Sequence, residues 1–185
     1  VAELVKAAKA KPGGMDYGSS GNGSIEHVAG EMFKQQAGVS IVHIPYRGAA
    51  PAITDLMAGQ LNLMFATVPT AVANLKTGKL RPLAVTTPGR VGALPGVPTT
   101  REAGYPGYEV ASTYAILAPA ATPRPIVQRL NQEIAKILQI PDVQKRFQIL
   151  GIERAGSTPD EATQRLGQEL AKWGQVIKDS SIKVD

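Results

Sequence analysis

The chain has 185 residues, 43% of them apolar and 19% charged, which gives enough apolar surface for a folded core and excludes a disordered or fibrous protein. The absence of cysteine removes disulfides, thiolate metal sites and a cysteine nucleophile. The net charge of +5 attracts anions in general, but Lys6, Lys9, Lys11, Lys76, Lys79, Arg81, Lys136, Lys145, Arg146, Lys172 and Lys178 are scattered, with no aromatic-interleaved basic motif, so nucleic acid is not an expected partner.

In chain order, residues 2–10 carry apolar and charged positions at helical spacing, stopped by Pro12-Gly13-Gly14. Met15 to Gly18 fits a short strand. The small, polar run Ser19 to Ser24 follows, and then Ile25, Val28, Ala29, Met32 and Phe33 fall on one helical face. Val39 to Pro45, rich in β-branched residues, predicts a buried strand. Tyr46 to Ala50 reads as a loop, and Pro51 suits the first turn of a helix that runs to Gly59. Leu61 to Phe65 is the next strand, a helix follows from about Thr67 to Gly78, and Arg81 to Thr86 supplies a further strand. Strand, short loop and helix recur in order, which predicts a largely parallel sheet with helices on its faces. Thr87 to Pro98, dense in proline and glycine, is a surface connection, Thr99 to Ala103 fits a single turn, and Tyr108 to Leu117 reads as a long extended segment. Beyond it Pro125 to Leu138, Asp142 to Leu150 and Pro159 to Lys178 have amphipathic spacing, with Thr158 as a cap. Trp173 and the stripe Leu130, Ile134, Ile137 and Leu138 are expected in the core.

Ligands of open α/β sheets bind beyond the carboxyl ends of the strands, where loops and helix N-termini gather. Three loops qualify here: Ser19 to Ser24, with closely spaced N–H groups and hydroxyls ahead of a helix; the loop of Arg47 and Gly48; and the loop of Thr67. The first suits a carboxylate or phosphate. The same residues also suit ordinary turn and capping chemistry without a ligand. The run lacks the order of a nucleotide P-loop, and Glu26 occupies the last position of G-x-G-x-x-G, so no nucleotide cofactor is expected. Ser20 with His27 or His43 and Asp55 could form a hydrolytic triad on paper, but Gly18-Ser19-Ser20-Gly21-Asn22 is not the nucleophile elbow. His27, one turn into its helix, is placed to face the loop and touch an anion, and His43 is expected in the core. Two separated histidines without cysteine make a poor metal site.

The ordered set is more specific than any member of it. Tyr17-Gly18-Ser19-Ser20-Gly21-Asn22-Gly23-Ser24, then Glu26-His27-Val28-Ala29-Gly30-Glu31-Met32-Phe33, His43-Ile44-Pro45-Tyr46-Arg47-Gly48-Ala49-Ala50-Pro51-Ala52 and Asp55 to Phe65 resemble the Bug/TctC family, the substrate-binding proteins of tripartite tricarboxylate transporters. The resemblance continues through Gly78 to Thr86, Leu94 to Thr99, Gly107 to Val110 and Leu117-Ala118-Pro119.

It implies a two-lobed α/β binding protein of the Venus-flytrap type, periplasmic, closing on an organic carboxylate and delivering it to membrane permease subunits without chemistry. Family members are longer, so the expectation is a chain without a signal peptide and without an N-terminal portion of roughly a hundred residues, about a small domain. Residues 1–110 would then be the second lobe, and 111–185 a crossover strand and the C-terminal part of an incomplete first lobe that could self-associate. The ligand-binding residues implied are Ser19, Ser20, Gly21 and Ser24 with His27 nearby, then Arg47, Gly48 and Thr67, and Tyr114 in the crossover. Ala66 stands where many relatives carry an acid or amide, which disfavours an amino-acid ligand. A hydrolase or transferase acting on a small anion is the alternative.

Overall fold

A computed structural model describes residues 1–179 and 182. The elements are α1 (Ala2–Ala10), β1 (Asp16–Ser19), α2 (Ile25–Ala37), β2 (Val42–Pro45), α3 (Ala49–Met57), β3 (Leu63–Met64), α4 (Val68–Leu75), α5 (Arg124–Ile137), α6 (Pro141–Leu150) and α7 (Pro159–Asp179). The three strands form one parallel sheet in the order β2-β1-β3, with Tyr17 opposite both His43 and Leu63. Asp16 and Asn62 fix the β1–β3 register by reciprocal bonds, each side-chain oxygen accepting the other's backbone N–H at 2.9 and 2.8 Å.

The core lies between the sheet, α1, α2 and the loop around Tyr108. Tyr17, fully buried in the central strand, touches His43 and Phe65, and its hydroxyl donates to Glu31 at 2.8 Å. Val28, Ala29 and Phe33 bury the apolar face of α2 as its spacing predicts, with Ile25 and Met32 half-buried beside them. Each such side chain contributes about 1.5–3 kcal/mol when fully covered. Tyr108 ties the long connection to this core by donating its hydroxyl to the Ala29 carbonyl at 2.8 Å. Trp173 packs against the same cluster from α7.

Three expectations are corrected. Arg81 to Thr86 is not a strand: Val85 makes an isolated bridge with Thr99, and the Thr86 carbonyl accepts the Val110 N–H at 3.1 Å, without a ladder along the segment. Tyr108 to Leu117 contains no assigned strand, and residues 111–117 are exposed throughout. The Leu130–Ile137 stripe is not core either, since Leu130 and Ile137 are both 49% exposed and neither α5 nor α6 has a buried residue. The physical reason is common to all three. A strand needs a continuous ladder of hydrogen-bonded partners and an apolar stripe needs a fully facing surface; in the described part of the chain, residues 81–86 keep only local bonds at Val85 and Thr86, while Leu130 and Ile137 stay half-exposed. Residues 99–103 do form the expected turn, closed by Ala103 N–H to Thr99 O at 3.0 Å. The Thr158 cap is present as a reciprocal box: its hydroxyl accepts the Glu161 N–H at 3.2 Å, while the Glu161 carboxylate accepts the Thr158 N–H at 2.8 Å.

Candidate functional site

Because all three strands run parallel, their carboxyl ends share one edge, and each is followed by a loop and a helix N-terminus: β1 by α2, β2 by α3 and β3 by α4. The first two loops are joined directly. Tyr46 N–H donates to the Ser19 carbonyl and Gly48 N–H to the Ser20 carbonyl, both at 3.1 Å. The third is placed beside them by the β1–β3 pairing.

Within the first loop, Ser24 caps α2 by accepting the His27 N–H at 3.3 Å, and Gly21 accepts the Ser24 N–H at 3.2 Å. Gly21 N–H turns inward to Ser19 Oγ at 3.1 Å, and Gly23 N–H to His27 Nδ1 at 3.2 Å. The N–H groups of Ser20, Ile25 and Glu26 have no acceptor among the described residues. Ile25 and Glu26 stand in the first turn of α2, at the positive end of its dipole, and Ser20 in the loop before it, so their N–H groups are of the kind that suits an anion.

Two of the expected side-chain contacts are corrected. The Ser19 hydroxyl is fully buried and held by His43 Nε2 at 2.6 Å and by Gly21, so it supports the loop from beneath rather than facing a ligand. This follows from strand parity, since Tyr17 and Ser19 share one face of β1 and Tyr17 is in the core. Tyr114 is 68% exposed in the 111–117 segment, without a ring or hydrogen-bond partner among the described residues, and is not brought to the loops. Ser20 is half-buried and donates its hydroxyl to Glu26 Oε2 at 2.7 Å. Arg47 is exposed and makes no ion pair among the described residues. Gly48 begins α3, and Thr67 begins α4 with its hydroxyl 3.0 Å from that of Thr70.

Sequence reasoning missed two participants. Glu26, buried at 6% exposure, is the acceptor that orients Ser20. His43, expected in the core, is half-buried and stacks on His27 with ring centroids 3.7 Å apart and planes 12° from parallel. Its pairing opposite Tyr17 was the available signal: side chains opposite each other in register share a face, here the α2 side. Burial, with the neighbouring His27 adding to it, holds the His43 imidazole down at about 4, and burial also lowers His27 below its usual value. Both rings are therefore neutral at neutral pH, and attraction for an anion falls to the loop amides and Arg47.

The triad does not assemble. Ser20 is engaged by Glu26, His43 by the buried Ser19, and Asp55 accepts the Tyr46 hydroxyl at 2.8 Å. Two hollows, of about 300 Å³ between residues 91–93 and α6 and about 390 Å³ between α5 and the start of α7, are lined by residues outside these loops, the first of them beside Val68 at the start of α4.

Comparison with known proteins gives the family and the fold. The model of the tripartite tricarboxylate transporter family receptor, TctC, matches residues 1–182. A protein encoded in the tcbD-tcbE intergenic region of Pseudomonas sp. (strain P51) is 38% identical over 96% of this chain and 53% of its own length. Among solved structures, R. palustris Rpa4515 with adipate superposes with a TM-score of 0.91 at 38% identity, covering 98% of this chain and 61% of that one. The periplasmic binding protein BugD superposes at 0.88 and 31%, covering 99% and 62%. The chain thus spans between about half and two thirds of the length of these three proteins, with the α/β fold of periplasmic binding proteins. On the match of nearly its whole length to the family model, the chain belongs to the tripartite tricarboxylate transporter receptor family.

Proposed function

We propose that this chain is the ligand-binding part of an extracytoplasmic, periplasmic solute receptor that holds a small organic carboxylate and passes it unchanged to the membrane permease subunits of a tripartite transporter. The observation that carries this reading is the convergence of three loops and helix N-termini on one sheet edge, with the amides of Ser20, Ile25 and Glu26 unclaimed. Charge-assisted bonds of this kind contribute about 1.5–3 kcal/mol each, and several together suffice for micromolar affinity. Gly21 and Gly48 shape the loops. Arg47, with no ion pair among the described residues, adds a steering charge, and Thr67 offers a hydroxyl from the third loop. A dicarboxylate is favoured by the likeness to a structure holding adipate.

We also read residues 1–110 as one lobe and 111–185 as part of another. The buried residues of the two core clusters lie at or before Val110, with Trp173 packed against the first from α7, whereas Ile116, Leu117, Ile126, Leu130, Leu166 and Leu170 are exposed. Such a face calls for a covering surface, and a second copy of the chain is one that would serve. Titration calorimetry with adipate, malate and citrate tests the receptor reading. The expected result is saturable binding of at least one of them, weakened roughly tenfold by Arg47→Ala, with the ligand recovered intact. Heat flat at millimolar concentrations, or conversion of the ligand, would refute it.

A further inference from the structure

We propose that His27 is a positioning residue of the Gly/Ser loop: its unprotonated Nδ1 pins the Gly23 amide, and a proton on that nitrogen frees the loop and weakens its hold on a carboxylate. This rests on the receptor reading above and adds a proton dependence to it.

The geometry is specific. Gly23 N–H points at His27 Nδ1 at 3.2 Å, so that nitrogen must keep its lone pair, and the proton of the neutral ring sits on Nε2. A proton arriving at Nδ1 turns an acceptor into a donor facing another donor. His27 is only 8% exposed and stacks on His43, which in turn contacts Ser19 Oγ, the acceptor of the Gly21 amide. Both ends of the glycine turn therefore rest on one pair of stacked rings.

The groups facing this pair set the direction. From α2, the Glu31 carboxylate favours a charged ring and Lys34 opposes it; from β2, His43 would repel a charged His27; from β1, Tyr17 lies against His43 as a neutral hydroxyl. Glu31 is already shared by Tyr17 and Lys34 at 2.8 and 2.9 Å. Burial lowers His27, so the pin holds at neutral pH and is lost only below about 6.5. Two charged rings 3.7 Å apart repel, so the first proton also hinders a second. Affinity for a carboxylate is predicted to fall on acidification, the reverse of what simple attraction to a charged imidazole would give.

The test is an NMR titration of the isotope-labelled protein, without ligand, from about pH 7.5 to about pH 5. The expected result is that the Gly23 amide shift moves with the same midpoint as the His27 ring, below 6.5, and that the protection of Gly23 against exchange, taken relative to the intrinsic rate at each pH, falls roughly tenfold. A Gly23 amide that stays put while the ring titrates overturns the proposal, as does a ring that takes no proton before the protein unfolds. His27→Gln offers an acceptor that does not titrate, and its adipate affinity should be flat over the range in which the parent loses roughly tenfold. A variant with the parent's pH profile overturns the proposal; should it not fold, the titration of the parent decides alone. Failure of the parent to bind any of adipate, malate and citrate at about pH 7.5 would count against the receptor reading and leave the Gly23 result standing.

Discussion

Gly30→Ala is expected to lower the melting temperature by roughly 5 °C, although alanine is the better helix former by about 1 kcal/mol. A Cβ at this position in α2 would lie 2.1 Å from Tyr17 Cε2, 2.3 Å from Cζ and 2.7 Å from the hydroxyl oxygen. The ring has nowhere to go. It is wholly buried between His43 and Phe65, and its hydroxyl is fixed by Glu31. Overpacking a rigid core in this way costs about 1–3 kcal/mol, the upper end applying where backbone and ring must both shift, so the clash outweighs the propensity gain. Thermal unfolding followed by circular dichroism reads the outcome. A variant more stable than the parent would mean that α2 does not sit against Tyr17 as described.

Gly48→Ala should weaken binding as well as lower stability. Gly48 has φ 107° and ψ 165°, a region that L residues avoid at a cost of about 1–3 kcal/mol, and nothing lies within 4 Å of an added Cβ. Steric crowding is therefore absent, and the whole effect passes through the backbone. Relief of the strain rotates the peptide that donates to the Ser20 carbonyl at 3.1 Å and begins α3. The two loops then lose their connection. Calorimetry should show adipate affinity reduced about tenfold or more, with a melting temperature lowered by a few degrees. Unchanged affinity would remove the second loop from the site.

What could be read from the sequence was whatever depended on short-range periodicity. The helical face of Val28, Ala29 and Phe33, the β-branched run into β2 and the strand–loop–helix order that places three loops on one edge all depend on neighbouring residues. What could not be read depended on partners distant in the chain. Residues 81–86 and 108–117 have strand composition, but composition does not supply a ladder, and the first keeps only the Val85–Thr99 bridge and the bonds of Thr86 to Val110. The stripe on α5 has helical spacing, yet spacing says nothing about whether a surface faces it; its Leu130 and Ile137 are half-exposed. Within the candidate site the loop between β1 and α2 was legible, whereas the different settings of its adjacent serines were not. Ser19 turns into the core towards His43, and Ser20 towards Glu26. Period-two alternation from the buried Tyr17 distinguishes them, provided that the strand continues through Ser19, which it does. The stacking of His27 on His43 joins a helix to a strand, and no local pattern encodes it.

The central claim is that the amides opening α2 grip a carboxylate, and amide chemical-shift mapping with adipate at neutral pH tests it most directly. The account predicts saturable shifts concentrated on Ser20, Ile25 and Glu26, the amides without an internal acceptor, with small changes at Gly21 and Gly23, whose N–H groups already point inward. Adipate binding that leaves those three resonances unmoved and shifts residues elsewhere would contradict it.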